Sequence, residues 1–157
     1  MSATLKAGQY FSIHEIIYSA TAEKENIFNL PTDEKIINNL NELISFLDAL
    51  REAWGSAIRV GSGYRCPQLN KAVGGSTTSV HMIGLAADLT PVNGKTDDFF
   101  EFVKNYLLSN NIPFDQIIDE HSGKKHWVHI GLKNTKGLQR KQVKGYKDGK
   151  YYFITTK

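Results

Sequence analysis

The sequence predicts an α+β fold: an antiparallel sheet with helices packed on one face. Two segments place apolar residues at helical spacing, and several shorter ones have the alternation or dense apolar character of strands. Helices and strands in this order, closing on a hairpin, suggest helices laid over one face of an antiparallel sheet. A length of 157 residues suits one domain with a proper core, residues 1–157, in which 133–157 form a basic C-terminal hairpin or tail.

The elements follow in order. Thr32 is a fair helix N-cap, and Asp33 and Glu34 suit a first turn. From there Ile36, Ile37, Leu40, Leu43, Ile44, Leu47, Leu50 and Trp54 recur on one helical face until Gly55 ends the run. Ala57–Val60 reads as a short strand, and Pro67–Val73 as a short helix stopped by Gly74-Gly75. Leu85–Leu89 is a buried strand carrying Asp88. Thr96–Leu108 is a second amphipathic helix. Phe114–Asp119 and His126–Leu132 are two strands joined through Ser122-Gly123, a hairpin signal, and a last strand lies near Tyr151–Thr155.

Composition narrows the function classes. Hydrophobic content of 41% and charge of 22% are those of an ordinary globular protein. No stretch approaches the roughly 20 apolar residues of a membrane span. Cys66 is the single cysteine, which excludes an internal disulfide and cysteine-rich zinc modules. Net charge is only +3, yet seven Lys/Arg against one acid lie between Lys133 and Lys150. That basic segment reads as a solvated hairpin rather than a nucleic-acid surface, because its aromatics cluster late and look like strand content. The chain is expected to be a monomer.

Chemistry concentrates at three residues. His81 follows a Gly-Gly-Ser-Thr-Thr-Ser run and so lies on or beside a loop. Asp88 would bury a carboxylate in an apolar strand, which is costly without a cation or donors. Gly84 and Ala86 are small enough for that strand to pass close to a metal or to other backbone. Alternation in Trp127-Val128-His129-Ile130 puts Trp127 and His129 on one face and His126, Val128 and Ile130 on the other. Together His81, Asp88 and His129 can hold one zinc ion and leave its fourth position open, the arrangement of catalytic zinc.

Ser79–Asp88 resembles the Ser-x-His-x-x-Gly-x-Ala-x-Asp motif of the M15 metallopeptidases, the zinc D-Ala-D-Ala carboxypeptidases and peptidoglycan endopeptidases. Trp127-Val128-His129 is similar to their second motif. The likeness runs roughly from Phe11 to Leu132 and takes in Ser62-Gly63-Tyr64-Arg65 and Phe114-Asp115-Gln116-Ile117-Ile118. It implies the fold shared with the signalling domain of hedgehog proteins, zinc on His81, Asp88 and His129, and peptidoglycan peptides as substrates. Arg65 matches the family's substrate-carbonyl arginine; the alternative is a structural ion pair. Ser79 either binds substrate or orders its loop. The general base is where the sequence departs from the pattern. Glu120 aligns with a glutamate at the end of the preceding strand, His126 occupies the position of a carboxylate found in other relatives, and Asp119 comes third. His121–Lys125 lengthen the intervening turn. His14 and His121 read as surface residues, and Cys66 as a bystander. Without an apolar leader the chain is expected to be cytoplasmic as synthesised, acting on the wall if released. A carboxypeptidase, a phage-type endopeptidase and a non-catalytic zinc module remain as alternatives.

Overall fold

The computed structural model describes residues 3–156. Its strands are β1 (Ile58–Ser62), β2 (Ala86–Pro91), β3 (Gln116–Ser122), β4 (Lys125–Gly131), β5 (Gln142–Lys147) and β6 (Lys150–Phe153). They form one sheet in the order β1-β2-β4-β3-β5-β6, antiparallel throughout except between β3 and β5. The helices are α1 (Ile13–Ile17), α2 (Ala20–Lys24), α3 (Glu34–Trp54), α4 (Pro67–Ala72) and α5 (Thr96–Ser109), with a 3-10 turn at Val80–Ile83. The predicted α+β class is the observed one. No helix among the described residues is long and apolar enough to cross a membrane.

The two long helices cover one face of the sheet. Leu40, Leu43, Ile44, Leu47 and Leu50 of α3 are buried, as are Phe99, Phe100, Val103 and Leu107 of α5. They share a core with Ala87, Leu89, Ile117, Val128, Ile130 and Val143. These strand residues all point the same way, because side chains two apart on a strand share a face. The opposite face is left open, and the short helices and the 3-10 turn gather at its β1 side.

Local chemistry moved several boundaries. Asp33 rather than Thr32 caps α3, its carboxylate accepting from the amides of Lys35 at 2.8 Å and Ile36 at 3.3 Å. A carboxylate there also meets the positive end of the helix dipole. Cys66 caps α4 through its sulfur, which accepts from the Leu69 amide at 3.4 Å. His14 lies within α1 and packs its ring against Tyr18. The C-terminal hairpin or tail expected from the sequence came without its first strand, β5: Lys144 and Lys147 mask its alternation, while Val143 and Gly145 point inward.

Asp115 fastens this last part of the chain to the sheet. Its carboxyl, only 2% exposed, accepts from Arg140 Nε at 2.8 Å, Arg140 Nη2 at 2.9 Å and the Arg140 amide at 3.1 Å. Its backbone carbonyl accepts from Gln142. Burial raises the carboxyl's pKa, but the bonds from Arg140 outweigh this and bring it below the ordinary carboxylate range. A depressed folded pKa contributes stability that is complete above the unfolded value of about 3.9 and is lost as pH falls through the folded one. Asp115→Asn is therefore expected to lower stability at pH 7 by about 1.5–3 kcal/mol, the scale of hydrogen bonds to charged groups. Urea titrations of both proteins from pH 7 to pH 2 check this: the gap between them should close below about pH 4.

Candidate active site

Register aligns the side chains of the open face. Asp88 on β2 stands beside His129 on β4, then Ile118 on β3, then Lys144 on β5. The neighbouring row is Trp127, Glu120, Tyr146 and Tyr151. Both rows line a cleft of about 1030 Å³ that also takes in Arg65, Ser79 and His81. Between Val60 and Ser62 the pairing with β2 slips, a bulge that places Ser62 opposite Asp88. Such a bulge re-aims the chain that follows it, here toward Arg65.

His81 comes from the 3-10 turn. Ser79 caps that turn, its hydroxyl accepting from the His81 amide at 3.3 Å, and also lines the cleft. Gly84 ends the turn with φ 79°. A Cβ at Gly84 would lie 2.9 Å from Leu40 Cγ, so its smallness serves packing on α3 rather than approach to a metal. The His81 ring is 2% exposed, and its Nδ1 lies 2.7 Å from the carbonyl oxygen of Gly63. That carbonyl can only accept, so Nδ1 carries the proton and Nε2 presents a lone pair. Nε2 is buried without a hydrogen-bond partner. It lies 3.4 Å from Asp88 Oδ1, which lies 2.8 Å from His129 Nδ1. Donors about 2.0–2.1 Å from a tetrahedral zinc stand about 3.3 Å apart. The three residues fit a metal ion, and the unpartnered nitrogen gives it a reason to be there.

Burial depresses the pKa of His81 and keeps the ring neutral. Burial pushes the Asp88 carboxyl up, but His81 and His129 overcome this and hold it well below the usual range. For His129 burial lowers the pKa, and the Asp88 carboxylate more than restores it. Glu120 is raised to about 6, mainly by burial, with Asp88 adding to the rise and His129, Trp127 and Arg65 opposing it. The indole N–H of Trp127 is buried without closing a hydrogen bond. The Arg65 guanidinium is depressed by burial, with Asp88 and Glu120 acting in the opposite sense.

A family model described as Peptidase M15 matches residues 9–131, most of the chain and both motif regions. The chain belongs to the M15 peptidases. Members of this family depend on a metal ion, and their substrates are peptides. No curated protein matches the chain.

In this M15 peptidase the sheet separates Glu120 from the other two candidates for the base, His126 and Asp119. Glu120 faces the cleft. His126 pairs with Asp119 at 2.5 Å and stacks on His121, with ring centroids 3.8 Å apart, on the helix-covered face. His129 lies three positions after His126, an odd offset, so the alternation that turns one inward turns the other away. His126 and Asp119 therefore do not reach the group formed by His81, Asp88 and His129. Sequence reasoning left out Trp127, Lys144, Tyr146 and Tyr151 as cleft residues. The alternation of Val143-Lys144-Gly145-Tyr146 was the signal available for β5.

Arg65 has no carboxylate within 4.0 Å among the described residues, and its Nε is buried without a partner. An arginine holding the fold by an ion pair would have one. Arg65→Ala is therefore expected to leave the unfolding free energy within about 1 kcal/mol of the parent. Urea denaturation measures it, and a larger loss would return Arg65 to a structural role.

Proposed function

We propose that this M15 peptidase is a zinc enzyme that hydrolyses peptide bonds in peptidoglycan stem peptides, acting as a D-Ala-D-Ala-type carboxypeptidase. His81, Asp88 and His129 hold the ion, and Glu120 and Arg65 carry the chemistry beside it. The observation that carries the reading is the buried, unpartnered Nε2 of His81, with Glu120 in the next row of the same open face. Zinc bound there supplies a water of lowered pKa and polarises the scissile carbonyl. Glu120 takes the water's proton and returns it to the departing amine. A pKa of about 6 suits both halves of that transfer near neutral pH. Arg65 donates to the carbonyl oxygen as negative charge grows on it. Burial leaves the guanidinium poorly solvated, so that charge meets little competition from water. Ser79 borders the cleft where the substrate backbone would lie.

An endopeptidase is the second reading, favoured by the size of the cleft. At about 1030 Å³ it sits at the top of the range of roughly 300–1,000 Å³ for sites of drug-sized ligands, and a terminal dipeptide would leave much of it empty. Digestion of purified sacculi followed by mass spectrometry decides between the two. Release of a single terminal D-residue marks a carboxypeptidase, new internal termini mark an endopeptidase, and unchanged sacculi with zinc bound mark a non-catalytic module.

The residue roles have their own tests. Asp88→Ala is expected to lose one zinc ion per chain by metal analysis while keeping its circular dichroism; full occupancy would remove Asp88 from the ligands. Glu120→Gln should keep the metal and lose about 10²–10⁴ in turnover, the usual contribution of a general base. Arg65→Ala should lower kcat/KM by about 10²-fold, the scale of a lost oxyanion donor. Arg65→Lys should recover only part of that, because a point charge does not reproduce the planar fork. Normal turnover in either alanine or glutamine variant would reassign the role.

A further inference from the structure

The helix-covered face of the sheet carries a second group of metal-ligating side chains that the reading above leaves unused. His121 and Asp119 lie at the end of β3, His126 at the start of β4, and Asp97 in the first turn of α5. One ligand atom from each lies within 4.8 Å of all the others. His126 Nε2 stands 2.5 Å from Asp119 Oδ1 and 3.8 Å from Asp97 Oδ1, and His121 Nε2 stands 3.5 Å from Asp119 Oδ2. These separations bracket the roughly 3.3 Å between donors on a tetrahedral ion with bonds of about 2.0–2.1 Å.

We propose that His121, His126, Asp119 and Asp97 form a second metal site, structural in kind, for a first-row divalent cation such as zinc. The donor set selects that class. Calcium and magnesium take oxygen ligands, whereas imidazole suits zinc, copper and nickel. Two carboxylates and two imidazoles converge in one corner, a donor set that a divalent ion can satisfy. Four protein ligands leave no open position, the mark of a structural rather than a catalytic site. His121 and His126 are directly opposed across the hairpin, and their rings stack at 18°. Parallel rings do not aim both lone pairs at one point, so each turns about χ2 to bind, a torsion with a broad well.

The site lies back to back with the cleft. In Asp119-Glu120-His121 the outer two residues face the helices and the middle one faces the cleft. An ion on the first side therefore fixes the strand end that carries Glu120 and ties it to the first turn of α5. His121–Lys125, expected from the sequence to lengthen the turn, instead extend both strands to a two-residue turn at Gly123 and Lys124, and His121 on that extension supplies one of the ligands.

Zinc binding to the metal-free full chain separates the two sites, with metal content after equilibrium dialysis as the readout. His81→Ala is expected to hold one zinc per chain, lost when His121→Asn and His126→Asn are added. His121 is one-third exposed and Asp97 is 89% exposed, so His121→Ala and Asp97→Asn test the same point without threatening the core. Each should weaken the zinc remaining in the His81→Ala background by at least about tenfold. Zinc should also slow amide exchange at residues 119–126 and in the first turn of α5 in that background. A His81→Ala protein that binds no zinc, or zinc binding unchanged by His121→Ala and Asp97→Asn, overturns the second site. If the parent holds a single ion that is lost with His121 and kept with His81→Ala, the second site stands and the zinc reading of the cleft fails.

Discussion

A carboxylate on a central strand of a packed sheet is an expensive thing to keep, and Asp88 is the residue around which the open face is arranged. It cannot turn inward, where Leu89 and Ala87 join the dry core. It cannot be left alone either, because a buried charge without a partner is among the costliest features a fold can carry. The strand pairing answers this by placing His129 directly beside it, while a capped 3-10 turn delivers His81 from the other side. Gly63 helps twice: its carbonyl fixes the His81 tautomer, and a side chain at that position would run into the backbone of Ile16. The geometry that solves the electrostatic problem is also the geometry that accepts a divalent ion.

The same alternation decides which other residues can take part. Glu120 is carried to the cleft by its place between two residues that point away. His126 and Asp119 are carried from it by the same rule. Which side chains line the cleft and which lie under the helices is thus set by parity along β3 and β4, and moving either strand by one residue would exchange them. The hairpin's register therefore decides which side chains stand beside His129 in the cleft.

Much of this was legible in the sequence. The long apolar stripes of α3 and α5 were visible because helical periodicity accumulates over many residues. The grouping of His81, Asp88 and His129 could be expected from a buried aspartate with no other apparent partner. The position of His126 was also within reach, since its alternation with His129 already put the two on opposite faces. Other features were hidden for physical reasons. β5 alternates correctly, but Lys144 and Lys147 outweigh the pattern in a reading based on composition. α1 and α2 are five residues each, too short for periodicity to show. The Asp115–Arg140 pair spans 25 positions along the chain, and nothing local announces it.

The parallel pairing of β3 with β5 has a consequence for how the protein is made. β3 lies next to β4 on one side, and only residues 142–147 cover its other edge. A chain emerging from the ribosome at about 5–20 residues per second can form the β3–β4 hairpin while that edge is still bare. An unpaired row of backbone donors and acceptors is a template for the wrong partner, including another nascent copy. Gln116 and Glu120 leave polar and charged side chains along the exposed strand, and the basic residues from Lys133 to Lys141 follow at once. These basic residues just ahead of β5 thus give the growing chain a charge that keeps neighbouring copies apart until its own edge is closed.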